Sequence, residues 1–289
     1  MRLGFNFLLW TTHVTEEHLP ILDAIKATGY DGVEIPVFEG NESHFTWLRR
    51  HIENAGLQCT AAGAMPSGSN PISPDPVLRA RALDHLKWAS DCCAALGAEL
   101  FIGPIYQPLG EFTGQGPTED EKSRCVEIHK QAAQYAGKAG VKLSVEPLNR
   151  FECYFLNTAD AAAELVRRVD EPAYGYLYDT FHFNIEENSL PDAVTRTIGQ
   201  INHVHISENN RGTPGTGHID FASVFRALRA SGYDGWMTVE AFGSALPDLS
   251  AATKIWRPLF ASPEDVYRGA YRLMRDGWDA ASEGDFQPT

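Results

Sequence analysis

The sequence has no block of five or six Lys and Arg residues, no CxxC pair, no glycine in the turn after its first apolar run, and no apolar stretch long enough to span a bilayer. Each absence excludes something. Basic side chains number 24 against 38 acidic ones, a net charge of −14, so nucleic acid and an anionic membrane surface are repelled and neither is the expected partner. The five cysteines, Cys59, Cys92, Cys93, Cys125 and Cys153, form an odd set in which Cys92 and Cys93 are direct neighbours. That pattern reads as reduced thiols in a cytoplasmic protein, with Cys153 a buried inert thiol instead of a nucleophile. Phe5 to Trp10 (FNFLLW) is broken by Asn6 and has neither a basic leader of any length nor a small-residue cleavage site. Neither a signal peptide nor a transmembrane span is read from it. Phe5 to Thr12 lacks the glycines of a dinucleotide-binding turn. Gly212 to Gly217 (GTPGTG) lacks the Lys-Ser/Thr ending of a phosphate loop and is read as a flexible loop.

What is present is alternation. Short runs rich in Val, Ile, Leu and aromatics, at Leu3–Leu9, Gly32–Pro36, Gln58–Ala62, Leu100–Pro104, Lys142–Glu146, Tyr174–Tyr178, His203–Ile206 and Trp236–Glu240, are separated by stretches of helical spacing. The helical stretches lie near 16–28, 43–55, 74–96, 118–139, 158–169, 189–199, 219–231 and 263–276. Gly29, Gly56, Gly97, Gly140 and Gly232 each follow a helix and precede a strand, where a left-handed C-cap is wanted. Gly29-Tyr30-Asp31-Gly32 is repeated as Gly232-Tyr233-Asp234-Gly235. Eight βα units with an internal repeat predict an α/β fold, a (β/α)8 TIM barrel of one domain over 1–289, with 279–289 as a frayed tail. Residues 64–75 and 105–117, rich in Gly and Pro, fall on the strand-to-helix side and are candidate lids.

At the ends of the last four strand runs, or one residue from them, stand residues that can bind metal: Glu146, Asp179, His205 and Glu240, spaced 33, 26 and 35 apart. Neighbouring barrel strands converge at their C-terminal ends, so these four meet around one point. Three carboxylates and an imidazole make a hard, oxygen-rich site suited to Mn2+, Co2+ or Mg2+. Without a cation, carboxylates so crowded would repel one another and take up protons.

Val145-Glu146-Pro147-Leu148-Asn149-Arg150-Phe151-Glu152 and Asp179-Thr180-Phe181-His182-Phe183-Asn184-Ile185-Glu186-Glu187 resemble the ketose 3-epimerase family, which includes D-tagatose, D-allulose (psicose) and L-ribulose 3-epimerases among the xylose-isomerase-like barrels. The resemblance runs from Gly4 to about Arg257. It implies Glu146, Asp179, His205 and Glu240 as metal ligands, Mn2+ first among the cations, and Glu146 with Glu240 as the acid/base pair. Glu152, His182 and Arg211 match positions that hold the O1 to O3 end of the sugar, and Phe242 matches an aromatic wall of the pocket. Asn6 and Val14 depart from the family pattern, at the end of the pocket that takes O4 to O6. The implied reaction is epimerisation at C3 of a free, unphosphorylated ketose through a cis-enediolate, by a homodimer or homotetramer. Removing a proton α to the carbonyl and returning it on the opposite face requires two bases.

Trp10, at the end of the first strand, is read as a second aromatic wall. His203 reads as a core histidine, Glu34 as a partner of a metal ligand, of Arg211 or of a simple salt bridge, and Glu186 and Glu187 as a solvated loop. The competing enzyme reading is an aldose-ketose isomerase of the hydroxypyruvate or inosose type. A DNA-repair phosphoesterase of the same superfamily requires a basic face that the charge denies it.

Overall fold

The computed structural model describes residues 1–282. Eight parallel strands close in sequence order into a barrel: β1 (Arg2–Asn6), β2 (Gly32–Pro36), β3 (Gln58–Ala62), β4 (Leu100–Gly103), β5 (Lys142–Val145), β6 (Tyr174–Asp179), β7 (Ile201–Ile206) and β8 (Trp236–Val239). Around them lie α1 (Leu19–Thr28), α2 (Glu42–Asn54), α3 (Pro76–Leu96), α4 (Glu119–Lys138), α5 (Ala159–Val169), α6 (Thr180–Glu186), α7 (Leu190–Thr197), α8 (Phe221–Ala230), α9 (Pro247–Thr253) and α10 (Pro263–Ala280). The expected (β/α)8 barrel is therefore present, with two short helices, α6 and α9, that periodicity did not anticipate. The segment expected to fray from 279 begins inside α10, and 283–289 lie outside the described residues. No helix among the described residues is long and apolar enough to cross a membrane.

Strand periodicity sorts the chain into two buried layers. Phe5, Val33, Ile35, Phe101, Leu143, Val145, Tyr176, Val204 and Val239 join the core between strands and helices. Their alternate neighbours Ala62, Leu100, Ile102, Leu177 and Trp236 fill the inside of the barrel. The same alternation points Asn6, Glu34, Thr60, Asp179, His203, His205 and Thr238 inward, all of them buried. A barrel floored by Trp236 is thus polar toward the C-terminal ends of its strands. The floor is tight: a Cβ at Gly32 would fall 2.5 Å from the Trp236 ring. The repeated α-to-β turns behave alike, with Gly29 and Gly232 at φ 116° and 74°, a region that favours glycine.

Candidate active site

Glu146, Asp179, His205 and Glu240 each offer one ligand atom within 4.8 Å of the others, and all four are buried. Strand geometry brings them together. The Glu146 amide donates to the Gly103 carbonyl at 2.9 Å and the Glu240 amide to the Ile206 carbonyl at 3.3 Å, so both glutamates are held where β5 and β8 end. Asp179 has two tasks. Its Oδ1 accepts from the amides of Phe181 (2.6 Å) and His182 (3.3 Å), capping α6, while Oδ2 faces the cluster beside Ser207 Oγ (3.1 Å). The N-cap role of Asp179 is the signal that would have revealed α6 in the sequence.

His205 is oriented from behind. Its Nε2 lies 2.7 Å from Glu34 Oε1, and Glu34 also accepts from Asn6 Nδ2 (2.9 Å) and Thr60 Oγ1 (2.8 Å). His203 Nε2 sits 2.9 Å from the other Glu34 oxygen but out of line for a hydrogen bond. Burial alone would raise Glu34; the charges of His205 and His203 outweigh it and hold the carboxyl well below the usual carboxylate range. Glu34 is therefore the partner of a cluster histidine, as one sequence reading had it, and His203 is a core residue. With Nε2 committed to Glu34, Nδ1 of His205 is the free edge. It is buried without a hydrogen bond and lies 3.5 Å from both Asp179 Oδ2 and Glu240 Oε2.

A cation fits this donor set. Burial first, and the charge of Glu240 second, push the Glu146 carboxyl well above the usual carboxylate range. Burial opposes a charge on His205, yet Glu34 and Glu240 push it well above the usual histidine range. Glu146 therefore retains its proton unless further positive charge balances it. Arg211 supplies some: its guanidinium reaches Glu240 Oε2 (2.7 Å) and Asp179 Oδ2 (3.1 Å) and lies 3.9 Å over the Phe181 ring and 5.1 Å from the Phe242 ring.

The other residues named from sequence surround the same point, with one exception. His182 takes the Asn149 amide on Nδ1 (3.0 Å), and its Nε2 lies 2.7 Å from Arg211 and 3.6 Å from Glu146 Oε1. Glu152 accepts from Asn149 Nδ2 at 2.7 Å. Glu146, Glu152, His182, Arg211, Glu240 and Phe242 all line one cavity of about 170 Å3, whose remaining wall includes Leu8, Phe38, Ile102, Leu109 and Leu249. Trp10 does not line it. The 3-10 turn at Phe7–Leu9 hands the wall position to Leu8, and Trp10 packs outward against Phe5, Phe7 and Tyr267. Two larger hollows, of about 640 and 550 Å3, gather none of these groups; chemistry, not volume, selects the site.

Asn149, which joins Glu152 to His182, was not marked as a site residue from sequence, because an isolated Asn carries no pattern; Asn6, noted from sequence only as a departure at the O4 to O6 end of the pocket, joins Glu34 to Glu240 Oε1 at 3.4 Å. Glu186 and Glu187 are not a solvated loop: Glu186 holds the Arg150 guanidinium and amide, and Glu187 accepts the Ala159 amide at the start of α5. The two candidate lids meet through a bridge between Met65 and Pro108 and contribute Ala64 and Leu109 to the cavity. Cys153 is buried and its thiol is pushed up to about 12 by that burial, which leaves it no nucleophilic role.

The family model for the xylose isomerase-like TIM barrel matches residues 22–276. An L-ribulose 3-epimerase of Mesorhizobium japonicum is 32% identical, over 97% of this chain and 95% of its own. A solved L-ribulose 3-epimerase superposes with a TM-score of 0.92 at 28% identity over 99% of both chains. A D-allulose 3-epimerase from Methylomonas, solved in complex with D-allulose, gives 0.88 at 29% identity over 96% of each.

Proposed function

The chain belongs to the ketose 3-epimerases of the xylose isomerase-like TIM barrel family, isomerase-class enzymes of carbohydrates, and from its site we propose that it epimerises free ketoses at C3. The observation that carries this reading is the clustering of two buried glutamates that line one cavity, Glu146 and Glu240, with Asp179 and His205, whose ligand atoms lie within 4.8 Å of theirs. Relatives named for L-ribulose and D-psicose make ketopentoses and ketohexoses the substrates to try.

Glu146, Asp179, His205 and Glu240 would hold a divalent cation, Mn2+ first and Co2+ or Mg2+ as alternatives, which when bound polarises the C2 carbonyl and the C3 hydroxyl of the sugar. Glu146 and Glu240 follow directly on β5 and β8, three strands apart around the barrel, and so address opposite faces of the substrate. One removes the C3 proton, the electron pair left behind forms the C2–C3 double bond, and the carbonyl pair moves onto O2 to give the cis-enediolate. The other returns a proton to the opposite face. Glu152, His182 and Arg211 hold the hydroxyls at the carbonyl end, and Phe242 with the apolar wall excludes water from the bases.

Incubation with free ketopentoses and ketohexoses in Mn2+, followed by chromatography, tests the reading. C3 epimers are expected. Aldoses as the sole products would replace it with the aldose-ketose isomerase reading.

A further inference from the structure

The glycine-rich stretch Gly212–Gly217 is wrapped around one buried carboxylate. Glu208, fully buried just beyond β7, accepts three main-chain hydrogen bonds. Oε1 takes the amides of Asn209 (2.9 Å) and Ile219 (3.3 Å), and Oε2 takes the amide of Gly215 (2.8 Å). Its own carbonyl accepts from the Arg211 amide at 2.9 Å. A side chain at 217 would be driven into this centre, because a Cβ there falls 2.4 Å from Glu208 Oε1 and 2.0 Å from Asn209 Oδ1. The stretch that reads as a flexible loop is thus tied to one side chain at Gly215 and just before and after it, at Asn209 and Ile219; residues 211–214 are buried and 215–218 exposed. Three amides converging on one carboxylate satisfy it without a counter-ion.

Arg211 rides on this loop with a left-handed backbone, φ 65°, a conformation that persists in a non-glycine residue where the surroundings impose it. Its carbonyl accepts from the Phe242 amide at 2.9 Å, so the loop is also tied to the chain beyond β8. From there the guanidinium reaches Asp179, Glu240 and His182. A group that orients substrate has to be held within about half an ångström, and on a loop the support must come from elsewhere.

We propose that Glu208 is the positioning residue for Arg211: its carboxylate folds residues 209–219 so that the guanidinium is held at the cavity wall. It lies outside the residues that line the cavity and acts through Arg211 alone. The kinetic part of this proposal rests on the epimerase reading; the anchoring part does not.

Glu208→Gln keeps the shape and turns an NH2 toward amides that need an acceptor. Amide hydrogen exchange over 209–219 is expected to accelerate at least tenfold, and kcat/KM on a ketose to fall at least tenfold with bound Mn2+ unchanged. In an Arg211→Ala background the same substitution should change kcat/KM less than twofold. Unchanged exchange, or losses that multiply in the double variant, overturn the proposal. If Glu208→Gln does not fold, Gly217→Ala pushes a methyl against Oε1 with the carboxylate retained and carries the same expectations. A wild-type protein that epimerises no ketose defeats the functional reading alone, and exchange still decides the anchoring.

Discussion

Nε2 of His205 lies 2.7 Å from Oε1 of Glu34, with both side chains fully buried inside the barrel. This pair directs the free Nδ1 edge of His205 at Asp179 and Glu240, and the negative charge of Glu34 makes that edge a better donor. Glu34→Gln keeps the shape and removes the charge. Mn2+ affinity measured by calorimetry should fall by about 10 to 100-fold, the range for such outer partners, with secondary structure intact. Unchanged affinity would mean that Glu34 serves packing only.

Removal of the cation should cost both activity and stability. Chelation leaves the buried Glu146 carboxyl beside Glu240 and Asp179, with Arg211 and His205 as the nearby counter-charges. A cation bound only by the folded chain, at one hundred times its dissociation constant, adds about 2.7 kcal/mol. Differential scanning fluorimetry should show the melting temperature rising with Mn2+ and falling with chelator. A melting temperature indifferent to both would contradict the proposed ligand set.

Acid should destabilise the barrel through His129. This residue is fully buried between the Tyr174 hydroxyl and the Ile105 carbonyl, and burial pushes it down to about 4. The unfolded chain binds the proton near pH 6.5 and the folded chain does not. The contribution, up to about 3 kcal/mol, is therefore present above pH 6.5 and is lost as pH falls toward 4. Urea unfolding at pH 7 and pH 5 should show a smaller loss in His129→Gln than in the wild type, although the variant starts less stable. Equal losses would remove His129 from the account.

The barrel was legible in the sequence because strand and helix recur eight times, with a capping glycine at five of the turns between them, and each signal is local. The four cluster residues were legible for a related reason: they end consecutive strands, and a closed barrel turns that register into proximity. Trp10 misled because strand 1 gives way to a 3-10 turn at Phe7, which shifts the inward position to Leu8. α6 and α9, with seven residues each, are too short for periodicity to announce. Asn149 and Asn6 act by joining residues distant in sequence, and Glu208 by gathering the amides of the loop that follows it; none of these is a pattern a single chain displays.

The central claim is that Glu146 and Glu240 work from opposite faces of the sugar. Gln at either position keeps one oxygen for the cation and removes the basic charge. The most direct measurement is exchange of the C3 hydrogen with D2O, followed by NMR, for each member of an epimer pair in Glu146→Gln and Glu240→Gln. Net epimerisation should fall in both by about two to four orders of magnitude, the usual contribution of a general base. Each variant should still exchange one epimer through the surviving glutamate, with the preference reversed between the two. Loss of exchange from both epimers in both variants, with Mn2+ still bound, would contradict the two-base account, as would robust epimerisation by either.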